Sequence, residues 1–163
     1  MRRIILLFFF LFFVKVSFAQ NPIIIKKNQD LITLADKMQV LIDSTRKMAI
    51  RDILKAENQQ KFFPNFAGQL LFSPALNCMW LKFSIKNASH QNLWGDLTNT
   101  FPQEFDFYAF NQEGELVQSI QSGYGRPKND KPNFSSHYVL PLNSHAETEE
   151  LVFYIRIYNK YPI

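Results

Sequence analysis

The chain has 163 residues, of which 47% are hydrophobic and 15% aromatic, with 17 Phe among them. That is the length of one domain, and so apolar a composition excludes a disordered tail. The formal net charge of +4 suggests a basic partner-binding protein, while a single cysteine, Cys78, excludes an intramolecular disulfide and a multi-cysteine metal site.

The first nineteen residues are of a different kind. Arg2 and Arg3 form a positive start, Ile4 to Val14 is an unbroken apolar run of 11 residues, and Ser17 and Ala19 are small residues at the −3 and −1 positions of a cleavage site before Gln20. A membrane-spanning helix needs about 20 apolar residues to cross about 30 Å of hydrocarbon. The pattern therefore predicts a secretory signal over 1–19, cut between Ala19 and Gln20, in preference to an uncleaved anchor. Arg2, Arg3 and Lys15 leave with it, so Lys+Arg falls from 18 to 15 against 14 Asp+Glu, and the remaining 144 residues carry a net charge of +1. The basic balance belongs to the export signal. Lys27, Lys37, Lys55 and Lys86 are scattered and form no basic stripe, so no nucleic-acid partner is expected.

Residues 20–30 read as a polar leader with one apolar patch, Ile23 to Ile25. Leu31 to Leu34 and Gln39 to Ile42 are short β-prone runs. Ile50, Ile53 and Leu54 fall at i, i+3 and i+4, which predicts one short helix over Ile50 to Asn58, ended before Pro64. Phe62, Phe63 and Phe66 look like a hydrophobic plug over a sheet edge. Runs of strand length follow at Gln69 to Phe72, Cys78 to Ile85, Leu93 to Asn99, Phe105 to Phe110, Leu116 to Gln121, His137 to Leu142 and Leu151 to Tyr158. Turn formers separate them at Asn87-Ala88-Ser89, Asn111 to Gly114, Gly123 to Pro132 and Asn143-Ser144. The expected fold is all-β, an antiparallel β-sandwich with one short helix near the N-terminus. Strands do not alternate with long helices, which argues against Rossmann-type and barrel α/β enzymes.

Side chains alternate across a strand, so sequence parity assigns faces. Met79, Leu81, Phe83 and Ile85 oppose Trp80, Lys82 and Ser84. Phe153, Ile155 and Ile157 oppose Tyr154, Arg156 and Tyr158. Phe105 and Phe107 oppose Asp106, Tyr108 and Phe110. If the three strands share a sheet, Trp80, Lys82, Asp106, Tyr108, Tyr154 and Arg156 share a surface. Two readings of that surface stand side by side. Cross-strand aromatic and ionic pairs stabilise a sheet by roughly 0.2–1 kcal/mol each, with Arg156 holding Asp106. Alternatively, flat rings beside planar donors and acceptors suit a sugar, whose apolar face stacks and whose hydroxyls bond.

Catalysis finds little support. Cys78 in a strand reads as a small buried hydrophobe, and His90, His137 and His145 match no metal-ligand spacing. Glu147, Glu149 and Glu150 read as a solvated charge run. Asn87-Ala88-Ser89 and Asn133-Phe134-Ser135 are glycosylation sequons in form, with turn formation the better reading.

An ordered set of short motifs is nevertheless familiar. Leu41-Ile42-Asp43, Ile50 to Leu54 and Phe62 to Phe66 come first. Trp80-Leu81-Lys82-Phe83, Asn87-Ala88-Ser89 and Trp94 follow, then Phe105-Asp106-Phe107-Tyr108, Gly123 and Gly125-Arg126-Pro127, Val139-Leu140-Pro141-Leu142 and Tyr154-Ile155-Arg156-Ile157. Over residues 31–160 this set resembles the second extracellular domain type of bacterial 7TM receptors with diverse intracellular signalling modules, the 7TMR-DISM family. The resemblance implies a jelly-roll sandwich similar to carbohydrate-binding modules. It also implies a place outside the inner membrane, ahead of transmembrane helices and a cytoplasmic output module, and a carbohydrate or related small molecule as ligand. With the mixed face it selects Trp80, Lys82, Asp106, Tyr108, Tyr124, Arg126, Tyr154 and Arg156 as candidate ligand residues. Trp80 and Tyr108 are expected to stack on the ligand. Arg126, Arg156, Lys82 and Asp106 are expected to bond hydroxyls or a carboxylate.

Two departures stand out: Lys128 to Lys131 lengthen the glycine loop, and the sequence ends at Ile163, after the last expected strand. A truncated receptor, a fragment or a free-standing domain would each read this way. The expectation is an exported, non-enzymatic sensor domain, periplasmic or on the outer face of the inner membrane, with no cofactor. Its partners would be the ligand and either a membrane-embedded signalling module or a second copy. A protein-interaction or dimerisation domain is the alternative.

Overall fold

A computed structural model describes residues 21–29, 31–66, 78–97, 102–126, 138–142 and 150–159. The proposed signal, with its cut between Ala19 and Gln20, lies outside the described residues, as do the run Gln69 to Phe72 and His137 and His145. Strand accounts for 47% and helix for 11%, which places the chain in the all-β class as an antiparallel sandwich. No helix among the described residues is long and apolar enough to cross a membrane.

The larger layer has seven strands: β1 (Ile23–Ile25), β2 (Gln39–Ile42), β3 (Phe63–Pro64), β4 (Cys78–Asn87), β6 (Glu104–Phe110), β7 (Leu116–Ser122) and β9 (Glu150–Tyr158). Their order is β3-β2-β4-β9-β6-β7, with β1 running parallel to the far end of β4. The smaller layer pairs β5 (Trp94–Leu97) with β8 (Tyr138–Pro141). The patch Ile23–Ile25 in the expected leader is thus a strand, whereas Leu31 to Leu34 has no regular structure and leads into a 3-10 turn at Ala35–Lys37.

Alternation sorts the side chains as expected. Met79, Leu81, Phe83, Ile85, Phe105, Phe107, Phe153, Ile155 and Ile157 pack in one core that Leu97, Leu140 and Leu142 close from the β5–β8 side. The ring of Phe153 lies between its neighbours, 5.0 Å from Phe83 and 5.6 Å from Phe107. Most of the folding free energy of a domain comes from burying such apolar area.

The other face carries a cover. Residues 43–62 form two single-turn helices, α1 (Ile50–Ile53) and α2 (Ala56–Gln59), where the periodicity predicts one. Lys55 is extended between them. The side-chain amides of Asn58 and Gln59 donate to the carbonyls of Asp52 (2.8 Å), which also accepts from Lys55 N, and Ile53 (2.6 Å), tying α2 back to the end of α1. Asp43 fastens the entry. Its carboxylate, 1% exposed, accepts from Thr45 N, Thr45 Oγ1, Arg46 N and Met48 N. Ile53 and Phe62 reach down to Leu41, Trp80, Phe110 and Tyr154 in a second apolar cluster. Of the expected plug, Phe62 is therefore core, Phe63 lies in an edge strand, and Phe66 is 90% exposed.

Candidate functional site

The strand order brings the mixed residues of β4, β9 and β6 into register rows. Trp80 pairs with Arg156, and Arg156 with Asp106. Two residues along, Lys82 pairs with Tyr154, and Tyr154 with Tyr108. The row beyond the first is Cys78, Tyr158 and Glu104. The surface expected from parity alone thus exists, and its rows follow from β9 lying between the other two strands.

The cover divides this face into two parts. Beneath it, Trp80 is 0% and Tyr154 5% exposed. The indole stacks on Tyr108 with ring centroids 6.2 Å apart and planes 21° apart. Gln59 Oε1 accepts from Lys82 Nζ (2.8 Å) and from the Tyr154 hydroxyl (3.1 Å), so α2 is tied to two strands by one amide. The Lys82 ammonium also lies over the rings of Phe62 and Tyr154, at 5.8 and 6.0 Å. Burial draws the Lys82 amine below the ordinary lysine range. Burial also pushes the Tyr154 phenol up to about 12, with the Gln59 bond acting against it. Any molecule that touches Trp80 or Tyr154 lies under residues 43–62.

The second part is ionic. Arg156 Nη1 donates to Glu104 Oε2 and Asp106 Oδ2, each at 3.1 Å. Arg126 Nη2 pairs with Asp106 Oδ1 and lies 3.7 Å from Glu104 Oε2. Two cations and two anions therefore balance within one cluster, with Asp106 nearly buried and the other three partly solvated. Burial works against the Arg156 charge, but Cys78, Asp106 and Glu104 outweigh it and hold the guanidinium more firmly protonated. Burial raises the Tyr108 phenol, and the nearby Asp106 charge adds to the effect. The Arg156 guanidinium also lies 5.2 Å from the Tyr158 ring.

Arg126 reaches the cluster because of two glycines. Gly123 has φ +130°, and a Cβ there would meet Gln103 O at 2.3 Å. A Cβ on Gly125 would meet Gln103 Cγ at 2.7 Å. With no side chain at either position the loop lies against the start of β6, where Tyr124 N and Gly125 N donate to Pro102 O and Gln103 O. The Tyr124 ring between them is 56% exposed.

Sequence parity placed all six mixed-face residues correctly on one face, and the loop adds Arg126. Glu104 was missed, although it lies two residues before Asp106 and so shares its face. Gln59 was missed because nothing in a short helical pattern marks an amide that will bond two strands. Asn87 is a turn former as read: its Oδ1 accepts from Ser89 N (3.0 Å) and Ser89 Oγ (2.7 Å). Cys78 is buried, and burial pushes its thiol up to about 11 against the lowering effect of Arg156. Among the described residues, no three His, Cys, Asp or Glu side chains gather closely enough to hold a metal ion.

A family model covers most of the chain. The model of the 7TMR-DISM extracellular 2 domain matches residues 35–163. The chain belongs to this family. The 7TMR-DISM extracellular 2 domain is a sensor domain of a signalling receptor, it lies on the extracellular side, and it associates with a membrane signalling receptor. No curated protein and no solved structure matches the chain.

Proposed function

We propose that the chain is the ligand-sensing part of a bacterial signal-transduction receptor, exported to the periplasm or to the outer face of the inner membrane. It binds a carbohydrate or related small molecule and does not transform it. The observation that carries this reading is the balanced cluster of Glu104, Asp106, Arg126 and Arg156, closed by a loop that also presents the exposed Tyr124 ring. Planar guanidinium and carboxylate groups bond hydroxyls in fixed directions, while Tyr124 and the half-buried Tyr108 offer ring faces to the sugar. Lys82 gives one N–H to a neutral amide, which leaves two donors to offer.

Isothermal titration of the exported, purified chain with a panel of mono- and oligosaccharides tests this. Saturable binding is expected, reduced at least tenfold by Tyr124→Ala with Arg126→Ala. Absence of binding across the panel, or binding untouched by the double substitution, overturns it. A second reading, a protein-interaction or dimerisation domain, is favoured by Phe63 and Phe66 standing exposed at the β3 edge. Concentration-dependent sedimentation lost in Phe63→Ser with Phe66→Ser, together with no saccharide binding, selects that reading.

A further inference from the structure

Buried polar atoms in folded proteins almost always have hydrogen-bond partners, and those that lack one call for a cause. Among the described residues, four buried side-chain atoms make no hydrogen bond: Trp80 Nε1, Arg156 Nε, Asp106 Oδ1 and Ser122 Oγ. Three of the four belong to a single row, because Trp80, Arg156 and Asp106 are direct neighbours across β4, β9 and β6. Neighbouring strands are about 4.8 Å apart, so the three side chains project side by side from one line across the sheet. Trp80 is 0% and Asp106 4% exposed. Asp106 Oδ1 does face Arg126 Nη2 as an ion pair, which supplies charge but not an aligned hydrogen bond.

The chemistry of the row is specific. Trp80 Nε1 and Arg156 Nε are donors only, and Asp106 Oδ1 is an acceptor. Their complement is a set of oxygens that accept from the two N–H groups and donate to the carboxylate. A hydroxyl group has that capacity, and so does a water molecule. A carboxylate or phosphate oxygen does not, because it brings no proton for Asp106. Leaving an indole N–H and a guanidinium N–H unbonded in a buried site costs free energy that a matching oxygen restores.

We infer that the Trp80–Arg156–Asp106 row is a hydroxyl-binding subsite in which a neutral, polyhydroxylated ligand places hydroxyl groups beneath residues 43–62. This rests on the carbohydrate reading above and gives it a position: the ligand is gripped by its hydroxyl edge under the cover, as well as at the open ionic cluster. Trp80 serves as a hydrogen-bond donor, and its ring remains stacked on Tyr108.

The indole N–H of Trp80 is a direct reporter, since the chain has only one other tryptophan, Trp94, which is exposed on β5. The full chain, expressed for export in 15N-labelled form and purified, is titrated with neutral saccharides while both indole resonances are followed. The Trp80 signal is expected to shift and the Trp94 signal to stay. Trp80→Phe keeps a ring and deletes the donor, and is expected to weaken binding about tenfold or more, with Trp94→Phe unchanged. If Trp80→Phe fails to fold, the wild-type indole titration decides alone. Saccharide binding that leaves the Trp80 resonance in place overturns the subsite and leaves the carbohydrate reading standing. No saccharide binding, with the Trp80 N–H showing cross-relaxation to a long-lived water, overturns both and assigns the row to a structural water.

Discussion

The two faces of the seven-stranded sheet obey one alternation rule and arrive at different kinds of interior. The face toward β5–β8 is filled by Phe, Ile, Leu and Met, and its partners are interchangeable hydrocarbon. The opposite face buries an indole, a phenol and half of a lysine under a short cover held by particular hydrogen bonds, from Gln59, Asn58 and Asp43. Apolar contacts are non-directional and tolerate approximate fit, whereas polar contacts fail all at once when a partner is lost. One face is therefore held by non-directional packing, and the other by directional bonds.

The sharpest way to break this contrast is to damage each face separately. Phe153→Ala, at the centre of the apolar core, is expected to destabilise the whole domain by about 3–5 kcal/mol. Chemical denaturation followed by circular dichroism measures it, with a single transition at a lower midpoint. Ile53→Ala, under the cover on the other face, is expected to cost less, about 2–3 kcal/mol. Its effect should be local. Amide exchange should quicken over residues 43–62 while β4, β6 and β9 keep their protection. Uniform loss of protection across the sheet would show that the cover and the core form one cooperative unit and would erase the contrast.

A third expected effect is a pH dependence that arises on the mixed face. The Cys78 thiol is raised from an ordinary 9.0 to about 11, and the Tyr154 phenol from 10.0 to about 12. A group whose folded pKa is raised contributes stability that is complete below its unfolded pKa and is lost as pH rises through the folded one. Thermal midpoints should therefore begin to fall near pH 9 and continue to fall toward pH 12, less steeply near pH 10, where the lowered Lys82 amine acts the other way. Cys78→Ala should delay the onset to about pH 10, where Tyr154 takes over. An alkaline profile identical in wild type and Cys78→Ala would mean that the thiol is as solvated in the folded protein as in the unfolded one.

Much of the fold was legible because parity is a local property. Phe83, Phe107 and Ile155 read as core, and Trp80, Asp106 and Arg156 as their opposites, from alternation alone. The two glycines that bring Arg126 to Asp106 also stood out as a loop motif. What was not legible depends on distant pairing. Nothing in Trp80 or in Tyr154 announces that residues 43–62 will lie over them, because Asn58 and Gln59 are ordinary surface residues until the carbonyls they bond and the strands they touch are known. Ile23–Ile25 looked like part of a leader because a three-residue strand has no pattern of its own and exists only beside the end of β4.

The central position of β9 has a consequence for how the molecule is made. β4 and β6 do not touch along the sheet; each pairs along its length with β9, which is also the last described strand in sequence. Every layer of the core that joins the two halves waits for residues 150–158. Without β9 the β2–β4 pair and the β6–β7 hairpin have no shared neighbour in this sheet, and long-range pairings of this kind close slowly. In a chain built this way, the two halves of the large sheet are joined only through β9, so every change that loosens β9 loosens both halves at once.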